Sequence, residues 1–403
     1  MRRLALMTLM AAISLPAWAI RHLTVAQLEK TLASSVARHH SDAEMVREFG
    51  DFDLTERLTD ATRQRICESL RLGPQTTLSL QLLADESAIL DPPAGELPKD
   101  AVPDAAKAKR IFEAATGYVT QTLPHLPDFF ATRTTYTFND TAQIFKLNEW
   151  PVSAGLHLIG SNTREITFRD DHEVMEPAPQ GSKAAFPARP IERGLQSTGE
   201  FGALLGIIFV DAPKGTVAFH HWEKTSAGLV AVFHYAVPKL ESHYTVNYCC
   251  LADGLRTNTR QGGGGGRRGG SVVGNQQGNA TVLYHKTPAY HGSIFIDPTS
   301  GVVHRVTLQA EMGDSAVSRA ATVIEYGQVV IGDRKFICPL RSMILYEGPA
   351  ENGPSAYQMT TTTRALEPTG TLYVNETSFT NYHRLGSEIR IITDSDAPPA
   401  SRP

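Results

Sequence analysis

The sequence predicts an α+β protein in which an N-terminal irregular helical region precedes a large curved antiparallel β-sheet of half-barrel type. Three observations lead there. Up to about residue 122, apolar residues recur at three- and four-residue steps, as on amphipathic helices. From about residue 132 the period becomes two, as on half-buried strands. Short turn pairs join those strands and no long helices alternate with them, which excludes a doubly wound nucleotide-binding fold.

Arg2 and Arg3, the apolar run Leu4 to Leu15, and Ala17-Trp18-Ala19 form the layout of a secretory signal peptide over residues 1–19. The run is too short to span a membrane, and no later stretch reaches 18 apolar residues, so no transmembrane span is expected. A soluble exported protein, periplasmic or extracellular, is the expectation. Removing the peptide takes away two arginines and moves the net charge from −4 to −6. A mildly acidic chain argues against nucleic acid as a partner.

The helical domain is expected over residues 20–125. Thr24 with Gln27 and Ser41 with Glu44 have capping-box spacing. Val25, Leu28, Leu32 and Val36 form one stripe, and Met45 and Phe49 continue it in a second short helix. A third helix over about 55–72 presents Ala61, Ile66 and Leu70 and stops at Gly73-Pro74, read as a left-handed cap plus a breaker. A fourth over about 77–90 is rich in leucine. Beyond Pro92-Pro93 and Pro98, Asp104 caps a helix carrying Ala108, Ile111, Ala115 and Tyr118. No fixed repeat period links these helices.

The β domain is expected over residues 126–392. Strands are read at Gly155 to Ser161, Glu165 to Arg169, His172 to Met175, Thr216 to Trp222, Leu229 to Val237, Tyr244 to Cys250, Thr281 to His285 and Gly292 to Ile296. Further strands follow at Val302 to Ala310, Ala320 to Tyr326, Gln328 to Ile331 and Lys335 to Tyr346. Asp170-Asp171 and Gly332-Asp333 suit two-residue hairpin turns. Residues 251–280 interrupt the meander: ten of the thirty are glycine, with Arg267-Arg268 inside. A phosphate loop would need Lys-Ser/Thr opening a helix, and none follows, so this is read as a surface insertion. Thr393 to Pro403 reads as a polar, disordered tail.

Motifs for a nucleophile elbow, a zincin helix, an EF-hand or a dinucleotide loop are missing, so the sequence offers neither a catalytic nor a cofactor-binding residue. Among fourteen histidines, His220-His221-Trp222-Glu223 is the densest group. On a strand, His221 and Glu223 point the same way and are the candidates for two positions on one metal. Surface or core polar pairing is the preferred reading of both, because no third protein ligand can be placed, so no metal site is assigned. Asp170, Asp171, His172 and Glu173 read as a solvated turn. The four cysteines are Cys67, Cys249, Cys250 and Cys338. Parity places Cys250 with Tyr244, Val246 and Tyr248, and Cys338 with Phe336, Leu340 and Ile344. Two apolar faces of one sheet would allow a Cys250–Cys338 disulfide, leaving Cys67 free or paired with Cys249.

Leu54-Thr55-Glu56-Arg57-Leu58, Phe130-Ala131-Thr132-Arg133-Thr134-Thr135 and Glu325-Tyr326-Gly327 resemble segments of an uncharacterised family of exported bacterial proteins. The stretch Gly292 to Tyr346 resembles the half-barrel of periplasmic lipoprotein carriers of the Lol type. It has a strand ending in Asp297-Pro298-Thr299-Ser300-Gly301, a return strand, and Tyr326-Gly-Gln-Val-Val-Ile-Gly leading to Cys338-Pro339. That resemblance implies a curved sheet around an apolar cavity that accepts acyl chains and is partly closed by helices. It assigns no functional residue to this chain. The expected function is therefore non-catalytic binding of a lipid-like or apolar partner, with a lipid, a lipoprotein or an envelope protein as partner. An envelope hydrolase or metal enzyme around His221 and Glu223, and a protein-interaction scaffold using the helical front, are the alternatives.

Overall fold

A computed structural model describes residues 21–49, 52–121, 125–140, 155–174, 194–195, 199–252, 272–274, 280–313, 315, 317–348 and 370–386. The signal-peptide region, residues 253–271 of the glycine insertion and the tail lie outside the described residues. Two compact units are present: Met1–Pro93 with Ala142–Gly155, and Ala94–Thr141 with Leu156–Pro403. The boundary thus falls at Pro93 and not at 125.

In the first unit, β1 (Arg21–Leu23) and β2 (Phe52–Leu54) pair in parallel. Four helices accompany them: α1 (Val25–Ala37), α2 (Asp42–Phe49), α3 (Asp60–Leu70) and α4 (Pro74–Glu86). The Thr24–Gln27 box opens α1 as its spacing foretells, and Ser41 and Glu44 close the same reciprocal bonds at α2. Val25, Leu28, Leu32, Met45, Ile66 and Leu80 meet in one core.

The Gly73-Pro74 reading changes. Arg71 is the left-handed residue that ends α3, at φ 51°. Gly73, at φ −69°, is the N-cap of α4, with Pro74 in the first helical turn. Proline suits that position because its missing N–H would have no intrahelical acceptor. Gly73 has no side chain to cap the helix, so Asp42 of α2 supplies one. Its carboxylate accepts from the amides of Gln75 at 3.0 Å and Thr76 at 2.9 Å, and from the Thr76 hydroxyl at 2.5 Å. A Cβ on Gly73 would stand 2.4 Å from Asp42 Cγ, so this approach requires glycine.

The second unit begins with α5 (Ala105–Gln121), capped as expected by Asp104, which accepts from the Lys107 amide at 2.6 Å. Strands follow: β3 (Phe129–Asn139), β4 (His157–Arg169), β5 (His172–Val174) and β6 (Gly194–Leu195). After α6 (Ala203–Asp211) come β7 (Thr216–Thr225), β8 (Gly228–Val237), β9 (Val246–Ala252), β10 (Val272–Gly274) and β11 (Ala280–Lys286). The last five are β12 (Tyr290–Ile296), β13 (Val303–Ala310), β14 (Arg319–Ile331), β15 (Arg334–Gly348) and β16 (Thr371–Arg384).

Ten strands form one open antiparallel sheet in the order β5-β4-β3-β16-β15-β14-β13-β12-β8-β7. The α+β class read from the sequence is therefore the class of the fold. The Asp170-Asp171 hairpin is present, both residues at positive φ, and Gly332-Asp333 joins β14 to β15. A second sheet has the order β10-β11-β9-β6, so the described part of the glycine insertion includes a strand. This small sheet packs Leu195, Val246 and Tyr248 against Ala320, Ile344, Tyr346 and Tyr373 of the large one.

Candidate functional site

One face of the large sheet presents Phe233, Tyr235, Ile294, Ile296, Val306 and Ile324 to a single core. Two helices lie on it. On α5, Ile111, Ala115 and Val119 are buried there, in line with its amphipathic sequence. The other, α6, has the sequence ALLGIIFVD and is apolar on every side up to its terminal Asp211. Leu204, Leu205, Ile208 and Phe209 pack into the sheet core, and Val210 remains 56% exposed.

The two ends of α6 are held differently. Its entry runs through Gly199 at φ 94° and Gly202 at φ 124°, and Gly202 provides no side-chain cap. Such angles suit glycine, and between the two glycines Glu200 is held by Arg133 and Ser342 while Phe201 packs with Phe129, Phe168 and Phe379. The exit is pinned. The buried Asp211 carboxylate accepts from the His243 amide at 2.8 Å and the Tyr290 hydroxyl at 2.9 Å, and also meets the His243 ring. Burial, and next the bond to Asp211, hold the Tyr290 phenol well above its usual range.

Farther along the sheet lies a group of buried polar side chains. Arg133 Nη2 is 3.4 Å from Glu200 Oε1, and Arg133 Nη1 is 3.9 Å from Glu173. The Ser342 hydroxyl donates to Glu200 at 3.4 Å. Tyr326, buried, has a hydroxyl without a hydrogen-bond partner among the described residues. Desolvation raises its pKa, and so do the nearby Glu200, Tyr118 and Cys338. An apolar face with a few polar groups set into it is the usual composition of a small-molecule site.

The disulfide expected between Cys250 and Cys338 is not formed. Cys338 is a free, fully buried thiol among Phe129, Phe168, Phe201 and Phe379, and burial pushes it up to about 12. It lies on β15 of the large sheet, whereas Cys250 lies on β9 of the small one. Cys338 is buried, but Leu340, which parity put on the same face, is 43% exposed at a register shift in the β14–β15 ladder, and parity does not tell which sheet a strand joins. Cys67 is also free.

His221 and Glu223 do come together, with His221 Nε2 3.3 Å from Glu223 Oε2. They lie on β7, at an edge of the sheet. Of the other acidic candidates, Glu173 faces Arg133 and Arg169 pairs with Asp170 at 3.5 Å, so that group does not converge on one point. In the first unit a cavity of about 410 Å³ is lined by His39, His40, Asp42 and Arg71 among others. Its carboxylate is committed to the α4 cap.

No sequence pattern announces α6. A run without polar residues has no 3.6-residue contrast, and the glycines at its entry read as loop. No helix among the described residues is long and apolar enough to cross a membrane. Comparison with protein-family models, curated proteins and solved structures returns no match.

Proposed function

We propose that this chain is an exported envelope protein that binds a lipid-like or apolar molecule on the apolar face of its ten-stranded sheet. The observation that carries the reading is α6, a helix apolar up to its terminal Asp211, laid over that face and entered through two glycines at positive φ. It acts as a lid, held at Asp211, with Gly202 as its hinge just past the anchored Glu200 and Phe201. The unpartnered Tyr326 hydroxyl supports the reading, because it offers a buried hydrogen bond to a ligand's polar end. Export rests on the N-terminal sequence pattern.

Energy limits the ligand class. Leu204, Leu205, Ile208 and Phe209 fill the face when α6 is closed. Exposing four such side chains costs on the order of 6–12 kcal/mol, at about 1.5–3 kcal/mol each. An acyl chain of about 14 methylenes regains roughly 11 kcal/mol at about 0.8 kcal/mol each. A small apolar solute falls short, so a long-chain ligand fits.

Native mass spectrometry of the protein purified from its own envelope is expected to show a bound lipid-sized mass. A fluorescent fatty-acid probe should bind more readily when Leu205→Ala loosens the lid. A ligand-free protein that also ignores the probe would reject the reading.

A further inference from the structure

The opposite face of the same sheet holds a cluster of imidazoles produced by a defect in the strand ladder. Before the defect, Phe219 of β7 stands opposite Phe233 of β8, and Ala218 stands opposite His234. After it, His221 stands opposite Val232, Trp222 opposite Ala231 and Glu223 opposite Val230. One residue, His220, is extra. Two adjacent strand residues normally point to opposite faces, but a bulge lets both take the same one.

Phe219, Trp222, Ala231 and Phe233 belong to the core under α5 and α6. Val230 and Val232 belong to a separate cluster with Phe295. The register therefore puts His220, His221, Glu223 and His234 together on the face away from α6. The rings confirm it: His220 and His234 stack with centroids 3.7 Å apart, and His221 lies edge-on to both. His220 Nδ1 and His221 Nδ1 are 2.7 Å apart, and one ring nitrogen from each of the three histidines falls within 4.8 Å of the others.

We propose that His220, His221 and His234 form a site for one divalent transition metal of the zinc type. Imidazole nitrogens are the ligands zinc, copper and nickel favour, and three of them are a sufficient protein ligand set for such an ion. Glu223 is the orienting carboxylate and not a ligand. It accepts from Nε2–H of His221, which leaves Nδ1 as that ring's lone pair and turns it toward His220. His220 Nδ1 then donates its proton to His221 Nδ1 in the metal-free chain. On binding, His220 shifts to its Nε2–H tautomer through solvent, so both Nδ1 lone pairs meet the ion with no net proton released. His220 is exposed to solvent. His221 and Glu223 are mostly buried, so the fixed half of the site is preorganised. The site lies on the other face from the lid and stands or falls independently of lipid binding.

Calorimetric titration of the metal-stripped full chain with Zn²⁺ is expected to show one tight equivalent. His220→Ala, at an exposed position, should weaken it by about tenfold or more, and Glu223→Gln by roughly 10–100-fold. His383→Ala on β16 should leave it unchanged. Co²⁺ in place of Zn²⁺ should give visible d–d absorption that His220→Ala removes. Absence of a tight equivalent in the unaltered chain overturns the proposal. Undiminished binding in His220→Ala does so too, and that variant decides the matter even where His221→Ala or His234→Ala fails to fold.

Discussion

Glu173 illustrates how a residue's meaning depends on its surroundings. From sequence it belongs to an acidic turn. In the fold it is half-buried beside Arg133 and near Glu200. Desolvation raises its pKa, Glu200 adds to the rise, and Arg133 and Arg164 oppose it. A carboxyl whose folded pKa is raised holds its proton more tightly in the native state than in the unfolded one. Its contribution to stability is full below the unfolded value near 4.3 and is lost as pH rises through the folded value. Urea denaturation from pH 4 upward is expected to show this loss, and Glu173→Gln should flatten that part of the profile. An unchanged slope would mean that Glu173 is solvated. The pairing of His221 with Glu223 was legible because a period of two needs only the sequence. His220 was not, because its orientation comes from a register shift between two strands.

At the scale of elements, local chemistry and remote chemistry divide cleanly. The caps of α1, α2 and α5 were legible because donor and acceptor are three residues apart. The cap of α4 was not, because Asp42 reaches it from 33 residues away. Burial works against the Asp42 charge, but the Thr76 hydroxyl and the amides of Thr76 and Gln75 outweigh it and lower its pKa. Asp42→Ala is expected to destabilise the first unit by about 1–2 kcal/mol, the usual worth of an N-cap, by denaturant titration. Gly73→Ala should do the same by driving a Cβ into that carboxylate. A neutral result for both would remove the cap assignment. β16 escaped detection for a related reason. Its run of Thr, Asn and Ser reads as loop, and it becomes a strand because β3 and β15 pair with it on both sides.

For the whole molecule, each hydrophobic core found among the described residues is built from one unit. The core that contains Leu28, Ile66 and Leu80 draws on residues 23–84, and the sheet cores draw on residues from 108 onward. Separate cores predict separate cooperative units. Scanning calorimetry should resolve two transitions, or a calorimetric enthalpy above the van't Hoff value, and Asp42→Ala should move only one of them. A single transition with equal enthalpies would show that the units unfold together. The helix α5 explains the boundary: its pattern is helical like the first unit, but its buried stripe serves the sheet.

Sequence alone determined the α+β class, the antiparallel hairpins, the local helix caps and the shared face of His221 and Glu223. Each depends on contacts within a few residues, where periodicity and turn chemistry act directly. Only the tertiary structure decided which strands share a sheet, and so kept Cys338 a free thiol. It alone set β3 beside β16, although some 240 residues separate Thr135 from its hydrogen-bonded partner Thr377. It also laid α6 over the apolar face and turned His220 toward His234. Those outcomes follow from burial and register between segments far apart in the chain, and no local pattern encodes them.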